Sequence, residues 1–248
     1  MSVQQKRWDG DLPVNMMYFL NQDPRCRELF ENLPEDMVSQ LPVMEVEKDS
    51  TIIESGTYAN RVYIVLSGVC AIVKKSRTSE KPIILNRLGY LDIAGLYEII
   101  RDISRVGHVI ALTKCTLATI EREQLEKWMT QYPQFVIKLA SQISDRYFNH
   151  IDYLNYYIKY SSKCALISFF LEQYQLLSSP FGPEKRSIQI LETRAELSEE
   201  IGRDIRSVNR CIHELKVQGL ISTKSGKIII SKEQIQALTA LREELSNQ

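Results

Sequence analysis

Residues Glu192–Leu220 read ETRAELSEEIGRDIRSVNRCIHELKVQGL, and this stretch decides the fold of the C-terminal part of the chain. Its spacing predicts two short helices joined by a tight turn. Leu197 and Ile201 form the apolar face of the first helix. Gly202 ends it, because glycine adopts the positive φ of a helix terminus without steric cost. Asp204 stands where an N-cap belongs. Beyond it, Val208, Ile212 and Leu215 recur at helical spacing as a buried stripe. The opposite face carries Arg206 and Arg210 with Ser207, Asn209 and His213 beside them, and Arg194 and Arg203 lie nearby. A helix with a narrow apolar stripe and donors near its N-terminus suits the major groove of DNA. Taken alone, two amphipathic helices with surface arginines fit an ordinary α protein equally well. The next residues tip the balance. Leu220–Ile230 runs apolar, then polar with glycine and lysines, then apolar. This is a two-stranded hairpin with a basic tip, the wing of a winged helix-turn-helix.

Working outward, the charge is local. The chain has 248 residues and a formal net charge of zero, so no global field draws it to nucleic acid. Between Arg203 and Lys227, however, six Lys/Arg face two acids, the modest positive footprint of a site-specific reader. Hydrophobic residues at 44% and charged residues at 25% fit a globular protein. No apolar run reaches the roughly 18 residues of a membrane span, and the N-terminus lacks the apolar core of a signal peptide. The expected location is the cytoplasm. Five scattered cysteines, Cys26, Cys70, Cys115, Cys164 and Cys211, form no CxxC pair, which speaks against a disulfide framework or zinc site. Cys70 and Cys115 lie on expected strands and read as core thiols. His108, His150 and His213 lack metal-ligand spacing, and no nucleophile–base pair or phosphate loop appears, so no enzyme is expected.

Upstream, Ser187–Leu191 reads as a short strand, Ser178–Pro183 as a loop and Lys163–Leu177 as an amphipathic helix. Before them, Pro133 opens a helix running to about Tyr160 without internal Pro or Gly. About 27 residues span about 40 Å. Such a helix lies across a neighbouring domain or pairs with its own copy as a coiled coil. Seven β-branched runs precede it: Val43–Val46, Thr51–Ile53, Val62–Leu66, Val69–Lys74, Ile83–Leu88, Arg105–Leu112 and Cys115–Ile120. Turn residues between them mark a sandwich or barrel, with no helix of useful length expected before Glu121. Short helices cut by Pro24 and Pro34 lead in, residues 1–12 form a loose tail, and Lys232–Ser246 closes the chain as a charged helix.

That order resembles the cAMP receptor protein/FNR (CRP/FNR) family of bacterial transcription regulators. The likeness rests on Thr51–Gly56, Val62–Gly68 and Asp92–Gly95 in the β domain, and on Arg194–Leu197, Gly202, Ser207–Arg210 and Gly219–Ile221 downstream. It covers about residues 25 to 230. It implies an α+β fold. Residues 1–132 would hold N-terminal helices and a cyclic-nucleotide-binding-like β-roll (a jelly-roll barrel), residues 133–161 a long dimerisation helix, and residues 162–248 the winged helix-turn-helix. It also implies a homodimer reading a palindromic promoter site on double-stranded DNA, with RNA polymerase as a partner and a small-molecule effector sensed by the β-roll.

The resemblance departs from the family pattern at two places. Members that bind cAMP hold it with Gly-Glu-Leu and a later Arg-Ser. Here Gly95 is followed by Leu96 and Tyr97, and Arg105 by Val106. A site built for ribose and phosphate loses several kcal/mol when such partners are missing, so the effector expected is not cAMP, and no cofactor is identified. The candidate effector pocket is Gly95, Leu96, Tyr97, Arg105, Val106, Tyr147 and His150, with Arg105 either meeting another anion or snorkelling from a strand end. In the recognition helix, Ile205-Arg206 replaces the family's Arg-Glu, which predicts an altered half-site. The candidate DNA-binding residues are Arg194, Arg203, Arg206, Ser207, Asn209, Arg210 and Lys227, with Arg206 and Arg210 on guanines, Ser207 and Arg194 on phosphate, and Arg203 and Lys227 on the backbone or merely in water. The alternative is a ligand-sensing module that regulates a protein partner without binding DNA.

Overall fold

The computed structural model describes residues 15–74, 82–177 and 187–246. The expected tail at residues 1–12 and loop at Ser178–Pro183 lie outside the described residues. The chain divides into two compact units, one running to Ser141 and one beginning at Gln142.

The first unit opens with α1 (Met16–Gln22), α2 (Pro24–Phe30) and α3 (Glu35–Ser39). Asn15 and Asp23 cap the first two, and Pro24 occupies the first turn of α2, where its missing N–H costs nothing. Two four-stranded antiparallel sheets follow. One has the order β1 (Val43–Val46), β8 (Cys115–Glu121), β3 (Arg61–Ser67), β6 (Ile93–Ala94); the other β2 (Thr51–Ile53), β7 (His108–Ala111), β4 (Cys70–Lys74), β5 (Ile83–Leu88). Val46, Val65 and Leu117 from the first sheet share a core with Ile53, Cys70 and Val109 from the second. The first sheet is also covered on its outer face. Val62, Ile64 and Ile120 pack with α1, α2, α5 (Arg122–Gln131) and the start of α6 (Pro133–Lys159), where Phe135 stacks on Phe30 at 6.3 Å and meets Trp128 edge-on at 5.9 Å. Packing on both faces explains why β8 is buried at every residue but its last instead of alternating.

Each of the seven expected runs contains a strand, but of Arg105–Leu112 only His108–Ala111 is strand, and Arg105 lies in the segment before it. Two elements differ from expectation. β6 has only two residues, too few for a period to register. α4 (Leu96–Arg101) is a helix in the stretch expected to hold none. It is short, entered through Gly95 at φ 87° and closed by Asp102 at φ 51°, so its ends, not its periodicity, define it.

In the second unit, the later part of α6 packs on α7 (Ser162–Leu177) through Tyr157, whose hydroxyl donates to Glu172 at 2.9 Å. Residues Cys164–Leu171 of α7 are buried on every side, the mark of a central helix. Around it lie α8 (Arg194–Glu200), α9 (Ile205–Val217), α10 (Lys232–Ser246) and a sheet ordered β10 (Ser222–Lys224), β11 (Lys227–Ser231), β9 (Ser187–Gln189). Leu197, Ile201, Val208, Ile212 and Leu215 all enter this core, as their spacing requires.

Candidate nucleic-acid interface and effector site

The helix-turn-helix is built from capped ends. Thr193 and Glu196 form a reciprocal capping box on α8. Gly202 takes φ 61°, and Arg203 is clamped from both sides: its N–H donates to Ser198 O at 3.0 Å and its carbonyl accepts from Ser198 Oγ at 2.5 Å. Asp204 Oδ1 then accepts the Ser207 N–H at 2.9 Å and starts α9. With Val208, Cys211, Ile212 and Leu215 turned into the core, Arg206, Arg210 and His213 are exposed on the other face, and Ser207 and Asn209 are half-buried at its edge. Arg206 occupies the second position of α9. A cation there opposes the positive end of the helix dipole, so Arg206 gains nothing from helix stability and much from a polyanion.

The structure separates the other candidates. Arg194 Nη1 donates to Asn209 Oδ1 at 2.9 Å, joining two of them. Arg203 turns inward: Nη2 donates to Tyr160 O at 2.9 Å, capping the C-terminal end of α6. Lys227 Nζ donates to Leu191 O at 3.1 Å. Both cations are held by carbonyls of the protein itself. At the wing, Ser225 (φ 49°) and Gly226 (φ 79°) form the turn between β10 and β11, and Lys224, paired in register with Lys227, is exposed. Lys224 is the wing lysine that sequence reasoning passed over. Its sequence signal was its place beside the Ser-Gly turn, one step before the tip.

In the first unit, β6 pairs with β3 through Tyr63–Ala94 and Ile64–Ile93 and delivers Gly95 to the mouth of α4. Arg105 reaches it from the opposite side. The Arg105 side chain is 3% exposed. Nη1 donates to Gly95 O at 3.1 Å, Nη2 donates to Arg61 O, and Glu98 Oε2 lies 3.8 Å from Nη1. Burial pulls the guanidinium pKa below its usual value, with Glu98 opposing. Glu98 Oε1 in turn accepts the Val106 N–H at 3.3 Å. A side chain at Gly95 would overlap the Arg105 guanidinium, so glycine is required there by contact as well as by φ. Arg105 neither snorkels nor stands open to an anion: two carbonyls and a buried carboxylate surround it. Glu98 was missed in the sequence, where an acid inside Leu96–Ile100 reads as a surface residue.

The remaining pocket candidates are divided between the two units. Leu96 is buried, while Tyr97 and Val106 are 59% and 44% exposed. Tyr147 and His150 belong to the part of α6 in the second unit, both exposed, with Tyr147 edge-on to Phe148 at 6.1 Å.

The chain runs from a β-roll through a long helix to a winged helix, and known proteins share that order. Residues 43–132 match the cyclic nucleotide-binding domain family. The cAMP-activated global transcriptional regulator CRP of Salmonella typhimurium is 23% identical over 201 residues, 78% of this chain and 91% of that protein. FixK2 from Bradyrhizobium japonicum superposes with a TM-score of 0.63 at 18% identity, covering 81% of this chain and 96% of that one. The c-di-GMP responsive global regulator CLP of Xanthomonas campestris gives 0.57 at 17%, covering 82% and 98%. Over 78% of its length the chain is thus similar to a CRP transcription regulator, and its fold is that of the CRP/FNR structures.

Proposed function

We propose that this chain is a homodimeric, sequence-specific DNA-binding transcription regulator whose β-roll responds to an effector other than cAMP. The observation that carries the reading is the division of α9: Val208, Cys211, Ile212 and Leu215 buried, Arg206, Arg210 and His213 exposed, with Arg206 set against the helix dipole. Arg206 and Arg210 supply bidentate donors for guanine, Arg194 and Ser207 flank them for phosphate, and Asn209 is positioned by Arg194. Lys224 takes the wing contact in place of Lys227.

Dimerisation is supported by α6. Ile143, Tyr147, Leu154 and Ile158 are 51%, 62%, 41% and 75% exposed. With Ile151 between, they recur at three- and four-residue steps, the seam of a coiled coil, and His150 borders it. RNA polymerase and a cytoplasmic setting follow from the family. Among the described residues no helix is long and apolar enough to cross a membrane.

Against cAMP stand the Arg105–Glu98 pairing and the absence of an acid directly after Gly95. A cyclic phosphate would have to displace Glu98 or two backbone carbonyls from a buried guanidinium, leaving buried groups unpaired. Retention on duplex DNA that weakens steeply with salt, together with an unchanged thermal midpoint in saturating cAMP, is the expected result. No retention at low salt, with or without cell extract, points instead to a module acting on a protein partner. A cAMP-dependent rise in the midpoint overturns the effector reading.

A further inference from the structure

Cys70 and Cys115 lie 45 residues apart in sequence, yet their sulfurs are 3.6 Å apart. Each is the first residue of its strand, β4 and β8 respectively, and these strands belong to different sheets. The backbones beside them are already joined: Val69 N donates to Thr113 Oγ1 at 2.9 Å and Leu112 N to Val69 O at 2.8 Å. The approach is so close that a Cβ on Gly68 would sit 2.8 Å from Cys115 Sγ. Both thiols are buried, each 1% exposed. They lie just under a rim, however, where Thr113 is half-buried and Lys114 exposed, so a small oxidant has a short path. We infer that Cys70 and Cys115 are a disulfide-forming pair, an oxidative modification site that ties the two sheets of the β-roll together.

The closed bond is about 2.05 Å long, so the sulfurs must approach by about 1.5 Å through side-chain rotation and a small shift of the two strand starts. The co-reactant is a two-electron thiol oxidant of the peroxide class. The Cys115 thiolate attacks one peroxide oxygen, breaking the O–O bond. This forms a sulfenic acid and releases hydroxide, which takes the thiol proton to give water. Cys70 sulfur then attacks Cys115 Sγ, the S–O bond breaks, and the departing hydroxide takes the Cys70 proton. Two thiols have lost two electrons and two protons, and the peroxide has become two waters. Cys115 is the better first nucleophile, since the hydrogen bond from Cys70 draws its pKa down while that of Cys70 rises.

The full chain, treated with hydrogen peroxide, quenched in acid, unfolded and alkylated, should carry three alkyl groups instead of five. Its intact mass before alkylation should be lower by two hydrogens, and digestion should yield one linked species joining the Cys70 and Cys115 peptides. Cys70→Ser should stop at a sulfenic acid on Cys115 with no linked species, and a folded circular dichroism spectrum keeps that control valid. Should Cys70→Ser not fold, the wild-type linkage map alone decides. Five alkyl groups after treatment, a linkage involving Cys26, Cys164 or Cys211, or oxygen added to one sulfur without a cross-link would each overturn the assignment.

Discussion

Arg105 shows how one contact decides what a site can accept. In sequence it stands ten residues after Gly95, a free cation in a family position. In the structure it is buried against Gly95 O, Arg61 O and Glu98. Removing one partner of a buried pair leaves the other charge poorly solvated, so Arg105→Ala should cost about 3–5 kcal/mol in urea unfolding; a loss near zero would show that the Val106 N–H suffices for Glu98 without the arginine. Arg203 and Lys227 teach the same lesson. Sequence displays a charge but not the carbonyl beside it: Arg203 and Lys227 donate to the carbonyls of Tyr160 and Leu191. Asp204 was legible because a cap is local. Its carboxyl is held below the usual 3.8 by hydrogen bonds from the Ser207 side chain and amide. Its contribution to stability is therefore complete above the unfolded value of about 4 and fades as pH falls through the lower folded one. Hydrogen exchange in α9 should speed up on acidification through that window in the wild type and much less in Asp204→Asn; equal acid sensitivity would remove Asp204 from the account.

At the scale of elements, long periodic segments were readable and short ones were not. The apolar stripe of α9 repeats often enough to declare a period, and α7, β3 and β8 declare themselves by the length of their apolar runs. β6 and α4 do not, although they deliver Gly95 and Glu98 to the site. Two substitutions test the proposed division between an element that touches DNA and one that positions the reading helix. Lys224→Ala should weaken duplex binding and reduce the salt slope by about one ion. Arg203→Ala should weaken binding with the slope unchanged, and lower stability by about 1 kcal/mol through loss of the bond to Tyr160 O. Fluorescence anisotropy across a salt series reads both; a slope reduced by Arg203→Ala would return that arginine to the phosphates.

For the whole molecule, the order of elements carried the resemblance and the interior carried the departures. Helices, β-roll, long helix and winged helix were legible because their patterns change along the chain. The closure of Arg105 and the meeting of Cys70 with Cys115 were not, since both join residues whose proximity depends on how strands register. The proposed dimer rests on an apolar seam no single chain covers. Tyr147→Glu with Ile158→Glu should shift sedimentation toward the monomer and reduce affinity for a two-half-site duplex far more than for one half-site. The most direct test of the central claim is selection of binding sites from a random duplex pool by the wild type, Arg206→Ala and Arg210→Ala. The wild type should select a palindromic site, and each substitution should relax one guanine-containing position at a cost of about 1–3 kcal/mol in discrimination. No enrichment by the wild type, or a site unchanged by both substitutions, would contradict it.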